Sequence, residues 1–125
     1  MHWFEEKPQR YATETEFIKR CFPQARIFRE KNRIIVFHTI IGMKTRYLVR
    51  MEYPEDFPYE QPRAFIVEPK INKAEHRWMD GALCLHGNSD DSRISGKIVL
   101  DRTKQWIMAY EEWVDSGNWP ELHEL

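Results

Sequence analysis

The sequence has little cysteine, no long apolar run and almost no net charge, and each shortage excludes a class of protein. Two cysteines, Cys21 and Cys84, are too few for a disulfide framework. No apolar run, Ile34 to Phe37 included, approaches the roughly 18 residues needed to span a bilayer. The formal net charge is −1 and the basic residues are scattered, so neither nucleic acid nor an anionic membrane is an expected partner.

Two further absences restrict the compartment and the chemistry. The first residues, Met1 to Glu6, lack the basic start and apolar stretch of a secretory signal. We therefore expect a cytoplasmic protein, in a reducing compartment where a free thiol stays reduced. The five glycines are isolated and form no phosphate cradle. The chain should therefore need no cofactor and should not activate an acyl group with ATP itself.

The residues that are present predict one globular domain spanning 1–125, with 42% hydrophobic and 31% charged residues. Thr13 and Glu16 have capping-box spacing and predict the start of a first helix, which Pro23 would stop. Its apolar face should carry Cys21, which makes this cysteine a core residue. The other members of that face are Phe17, Ile18 and Phe22.

Alternating and β-branched segments predict an antiparallel sheet after the first helix. Its strands should be Ala25 to Glu30, Ile34 to Ile41, Thr45 to Tyr53 and Ala64 to Val67. The segment from Pro54 to Pro62 precedes the fourth strand and should be a rigid loop. Its prolines remove backbone donors, so it cannot form regular secondary structure. A second helix should start near Asp101, carry a stripe that includes Trp106 and Trp113, and end at Ser116. This order of elements predicts an α+β fold.

The middle of the chain carries two motifs of the ubiquitin-conjugating enzymes, the E2 family. The family's proline-rich aromatic loop is matched by Tyr53-Pro54-Glu55-Asp56-Phe57-Pro58-Tyr59-Glu60-Gln61-Pro62. The family's active-site motif is matched by Gly81-Ala82-Leu83-Cys84-Leu85, with His76 eight residues before Cys84. The sequence therefore resembles an E2, and the resemblance implies the E2 fold: an N-terminal helix, a four-stranded meander, a long active-site loop and a C-terminal helix.

Two departures from the E2 pattern narrow the resemblance. The family's His-Pro-Asn triplet is replaced by His76-Arg77-Trp78, so the Asn that stabilises the oxyanion is missing. The two C-terminal helices of the family also have no counterpart, which implies a truncated C-terminus. Both features are similar to the short bacterial E2-like proteins of antiviral (CBASS-type) operons, which are encoded beside cGAS-like nucleotidyltransferases.

The resemblance implies a role for individual residues. Cys84 would carry the C-terminal carboxyl of a protein as a thioester, a task that suits a thiol because it is both nucleophile and leaving group. His76 would hold the cysteine loop through backbone hydrogen bonds. Asp115 would help to deprotonate the attacking amine, with Asp101 and Asn118 as rivals. The alternative for His76 and for Asp115 is that the side chain is simply solvated at the surface and has no role in the reaction.

Three more residues are candidates outside the active-site motif. His86 is two residues past Cys84 and could act as a general base, because an imidazole titrates near neutral pH. It could equally be a solvated loop residue. Phe57 and Tyr59 stand where the family's aromatic loop docks a ligase, and rigid aromatics are common interface anchors. The alternative is that they cap the end of the sheet.

The expected partners follow from the resemblance. They are a protein with a C-terminal glycine, either a ubiquitin-like modifier or a cGAS-like nucleotidyltransferase, and a possible activating enzyme. Two other functions stay open: a catalytically silent E2-like binding module, and a structural partner of a neighbouring enzyme. A zinc site built from His76, Cys84 and His86 is a further alternative, but structural zinc sites usually have four ligands in close pairs.

Overall fold

A four-stranded antiparallel sheet with helices packed on one face forms the molecule, in a computed structural model that describes residues 2–71, 77, 80–85 and 94–120. Two N-terminal helices, α1 (Trp3–Glu6) and α2 (Pro8–Cys21), come first, and α3 (Gly96–Ser116) follows the sheet. The strands pair in chain order, β1-β2-β3-β4. Their bounds are Arg26–Glu30, Arg33–Ile41, Arg46–Glu52 and Arg63–Glu68. The predicted α+β class and four-stranded meander are confirmed.

Period-two alternation positions the core on one face of the sheet. Val36 of β2 pairs with Met51 of β3, and Met51 pairs with Ala64 of β4. All three side chains are buried and point toward the helices, because successive side chains of a strand alternate between faces. Trp106 and Ile107 of α3 complete this core. None of the helices in the described ranges has the length and apolar character required to cross a bilayer.

The predicted start of the first long helix is wrong. Helix α2 begins at Pro8, in the first helical position, where the missing N–H of proline costs no hydrogen bond. Thr13 and Glu16 therefore lie in the middle of the helix, and the spacing that resembled a capping box caps nothing. The short helix α1, which was not predicted, precedes it and buries Trp3 and Phe4.

The predicted core position of Cys21 is also wrong, because this cysteine is exposed. The buried residues of α2 are Ile18 and Glu14, whereas Phe17 is 47% exposed. By their spacing Glu14, Ile18 and Cys21 share one side of the helix, but Cys21 is its last residue and is not covered by the core. The charged residue Glu14 can be buried because it has polar partners: the Tyr53 hydroxyl and the backbone N–H of Gly96 donate to its Oε1 at 2.7 and 2.8 Å.

Helix α3 begins five residues before its predicted start near Asp101. Ser95 is the N-cap, and its hydroxyl oxygen accepts a hydrogen bond from the backbone N–H of Ile98 at 3.3 Å. The helix ends as predicted, with Gly117 in the left-handed conformation at φ 79°, which glycine adopts without steric cost. The early start places Arg102 in the second turn of the helix rather than in its first.

Candidate active site

Cys84 lies in an irregular segment that is attached to the edge of the sheet. The backbone N–H of Leu83 donates to the carbonyl oxygen of Ala64 in β4 at 2.9 Å, and Leu83 also forms an antiparallel bridge with Arg77. The side chains of Leu83 and Leu85 are buried, while Cys84 between them stays partly exposed. Two buried leucines therefore hold a cysteine that remains open to solvent.

The turn before this segment is fixed by Asp80. Its Oδ1 accepts a hydrogen bond from the backbone N–H of Ala82 at 3.1 Å, and its Oδ2 lies 2.6 Å from an Nη of Arg63 at the start of β4. The hydrogen bond from Ala82 is the main cause that lowers the pKa of Asp80, so the carboxylate stays charged at neutral pH. Gly81 at φ 94° provides the backbone conformation that most other residues avoid.

On the other side of Cys84 the segment is fixed by Arg102 of α3. Its Nη1 donates to the carbonyl oxygen of Leu85 at 3.0 Å, and the arginine is 8% exposed. A hydrogen bond from a charged donor contributes about 1.5–3 kcal/mol. Sequence reasoning missed this residue, although a signal existed: Arg102 has helical spacing with Val99, Trp106 and Ala109, so it interrupts an apolar stripe.

The surroundings of Cys84 favour its neutral form. Burial raises the pKa of this thiol above its ordinary value, because a thiolate loses solvation when water is excluded. The side chain is therefore mostly protonated at neutral pH in the isolated protein. A reaction at this sulfur requires that the proton be removed as the acyl donor arrives.

Two predicted site residues, His76 and His86, lie outside the described residues, as does Trp78. Their predicted roles stay predictions. The same is true of the zinc alternative, which requires both histidines. Among the residues that the structure describes, no group of three or more His, Cys, Asp or Glu side chains could hold a metal ion.

Asp115 lies in the last turn of α3. It follows Arg102 by thirteen residues in α3, which corresponds to about 20 Å along the helix axis. Its carboxylate pairs with the ammonium of Lys44, in the turn between β2 and β3. Its rival Asp101 is in the same turn of α3 as Arg102 and pairs with Lys97 at 2.5 Å. The predicted role of Asp115 in deprotonating the attacking amine stays a prediction.

The two aromatic residues predicted to bind a partner have opposite exposures. Phe57 is buried, with its ring centroid 4.6 Å from that of Trp3 and 4.8 Å from that of Tyr53. Tyr59 is 70% exposed. A buried ring already in contact with its own core cannot anchor another protein, so only Tyr59 remains available for docking in this loop.

Comparison with known proteins gives results for both the family and the fold. The model of the family described as type II CBASS E2 protein matches residues 14–124. A crystal structure of a ubiquitin-conjugating enzyme E2 from Plasmodium falciparum superposes with a TM-score of 0.56 at 18% sequence identity, covering 82% of this chain and 84% of that one. At this identity the structural likeness supports the fold alone. No curated protein matches significantly. With nearly the whole chain inside the family match and an E2 fold around Cys84, the protein belongs to the type II CBASS E2 family.

Proposed function

We propose that this protein is an acyl carrier of the E2 kind, which holds the C-terminal carboxyl of a partner protein as a thioester on Cys84. The observation that supports the proposal best is the placement of this cysteine. It is partly exposed between two buried leucines, in a segment attached to β4 on one side and to α3 on the other. Such a cysteine has a fixed position and can be reached from outside.

The chemistry has two balanced steps. In the first, the Cys84 thiol passes its proton to a base and its sulfur attacks the carbonyl carbon of an activated C-terminal acyl group. A C–S bond forms, the bond from the acyl carbon to the activating group breaks, and that group leaves with the electron pair. In the second, an amine or another thiol attacks the thioester carbon, the C–S bond breaks, and the thiolate leaves. The acceptor's proton passes to a base.

The remaining roles belong to the same proposal. His76 orders the cysteine loop and His86 accepts a proton from the attacking group, as their positions in the sequence suggest. Tyr59 contributes to docking of a partner, because it is the exposed aromatic residue of its loop. The acyl donor is a protein with a C-terminal glycine, and we favour a cGAS-like nucleotidyltransferase of the antiphage system that the family name denotes.

A mass experiment on the proteins of the same operon tests the proposal. The chain is co-expressed with its genomic neighbours, and intact masses are recorded before and after dithiothreitol. We expect a protein-sized adduct that dithiothreitol removes. Cys84→Ser should give an ester that resists dithiothreitol but not alkali, and Cys84→Ala should give none. Cys21→Ser is the matched control, because this thiol is exposed but lies on α2, and it should behave as the wild type.

A second function, a catalytically silent E2-like binding module, is favoured by the raised pKa of the Cys84 thiol. The same co-expression separates the two. If the partner co-purifies equally with wild type and Cys84→Ala and no adduct forms in either, the binding module is right and the carrier proposal is wrong. If the adduct forms on Cys21 instead, the assignment of the thiol is wrong.

A further inference from the structure

Arg102 is a buried positive charge on an otherwise apolar stripe of α3. Val99, Trp106 and Ala109 share the stripe, and all three are at most 2% exposed. A guanidinium at such a place loses most of its hydration, and an apolar side chain of similar volume would not incur that cost. The polar contacts of Arg102 must therefore offset that cost.

One of these contacts is with the backbone of the residue next to Cys84. Nη1 of Arg102 donates to the carbonyl oxygen of Leu85 at 3.0 Å. On the preceding side, the backbone N–H of Leu83 donates to Ala64 at 2.9 Å. Cys84 is thus the single residue between two fixed backbone points, one on the sheet and one on a helix. Hydrogen bonds are directional, so together they restrict the rotation of the peptide groups that flank the cysteine.

The helix that carries Arg102 is itself held in place. Oε1 of the buried Glu14 accepts a hydrogen bond from the N–H of Gly96, the first residue of α3, at 2.8 Å. Gly96 is so close to Tyr53, the residue after β3, that an added Cβ would lie 2.1 Å from the Tyr53 hydroxyl oxygen. Because Glu14 and Tyr53 hold the start of α3 in place, the position of the Arg102 guanidinium in the second turn is fixed as well.

We propose that Arg102 is a positioning residue for Cys84: its bond to the Leu85 carbonyl keeps the side chain of Leu85 in the core and the thiol facing outward in one orientation. The inference rests on the proposed role of Cys84 as the acyl carrier. Without the bond, Leu85 can leave the core and Cys84 can rotate. Small reagents then reach the sulfur more easily. A bulky acyl donor, in contrast, no longer meets the sulfur in the orientation required for attack on the carbonyl carbon.

The test uses the two cysteines as an internal comparison. Iodoacetamide alkylation of Cys84 and Cys21 is followed by mass spectrometry in the full chain. The rate at Cys84 is divided by the rate at Cys21, and this ratio is compared between wild type and Arg102→Met. We expect the ratio to rise about threefold or more and the pH midpoint for Cys84 to fall, because a thiol that is less buried ionises more easily. Thioester formation with the operon partner should fall about 10- to 100-fold.

If Arg102 positions Cys84, the alkylation ratio rises while thioester formation falls. If the role of Arg102 is merely structural, the two quantities do not move in opposite directions. Lys104→Met is the matched control, since it removes an exposed charge from the same helix and should change neither readout. Arg102→Lys keeps the charge and most of the volume. It should give an intermediate ratio, and it decides the question if Arg102→Met does not fold.

An unchanged ratio in a folded Arg102 variant would overturn the inference. So would a variant in which alkylation and thioester formation fall together. If the wild type forms no thioester with any partner, the proposed function fails, but the alkylation ratio still reports on Arg102. The two failures are therefore distinguishable.

Discussion

Glu14 offers the sharpest test of how the site is supported, because one buried carboxylate joins three elements. It is 3% exposed. Its Oε1 accepts hydrogen bonds from the Tyr53 hydroxyl and the Gly96 N–H, and its Oε2 accepts from Nε of Arg10 at 3.2 Å. Burial is the main cause that keeps the pKa of Tyr53 well above its usual range, so this hydroxyl stays a donor throughout the pH range in which the protein is folded.

Glu14→Ala should lower the free energy of unfolding by about 3–6 kcal/mol. It leaves two buried donors without their acceptor, at about 1–3 kcal/mol each, and removes a negative charge from the start of α3, which contributes about 0.3–1 kcal/mol. Glu14→Gln keeps the oxygen that serves Tyr53 and Gly96. It loses only the pairing with Arg10, which is partly exposed, so we expect a cost of at most about 1 kcal/mol.

Urea unfolding followed by circular dichroism measures both changes. A loss of 3 kcal/mol corresponds to a decrease in Tm of about 10 °C for a domain of this size. Glu16→Ala is the control, because this residue is on the same helix and makes only an exposed ion pair with Arg20; it should lie within about 0.5 kcal/mol of wild type. If Glu14→Gln costs as much as Glu14→Ala, the shared oxygen is not what stabilises the protein and the reasoning is refuted.

Three further predictions use other residues. Gly96→Ala should lower the free energy of unfolding by about 1–3 kcal/mol or more, because its Cβ would lie 2.1 Å from the buried Tyr53 hydroxyl; unchanged urea unfolding would contradict this. At pH 8, iodoacetamide should alkylate Cys84 more slowly than Cys21, since burial raises the Cys84 pKa; equal rates would refute it. Burial lowers the pKa of His38, so the unfolded chain protonates first, and stability should be complete above about pH 6.5 and fall below it. His38→Gln should flatten this dependence in unfolding experiments between pH 7.5 and 5.5.

The sheet could be predicted from the sequence because its period-two pattern is local. Tyr47, Val49 and Met51 alternate along β3, and all three are buried. The observed strand bounds differ from the predicted ones by at most one residue at either end. The helices were harder, since Glu14 is buried on α2 although it is charged, and Gly96 starts a helix although glycine is a poor helix former. One tertiary hydrogen bond, from the N–H of Gly96 to Oε1 of Glu14, overrides both local signals.

Cys84 could be proposed from its motif, but its supports could not. The motif is contiguous, whereas Arg102 is seventeen residues away along the chain from the carbonyl that it binds, and Glu14 is eighty-two from its partner Gly96. Pairing over such distances depends on how α2 and α3 rotate against the sheet, which no local pattern encodes. For the same reason, the chain position of Asp115 does not say how far its carboxylate lies from Cys84.

The supports of Cys84 are polar even though the surrounding core is apolar, and this choice has a physical consequence. Apolar contacts are non-directional, so Leu83 and Leu85 alone would allow the segment to slide or twist while keeping its buried area. The hydrogen bonds of Asp80 and Arg102 each require one backbone group in one orientation. The proposed carrier role requires that orientation more than extra stability, because the thiol has to meet a protein-sized acyl donor. Directional polar contacts on both sides of a partly exposed cysteine are therefore the arrangement expected of a carrier, whereas a cysteine that serves only as packing requires none of them.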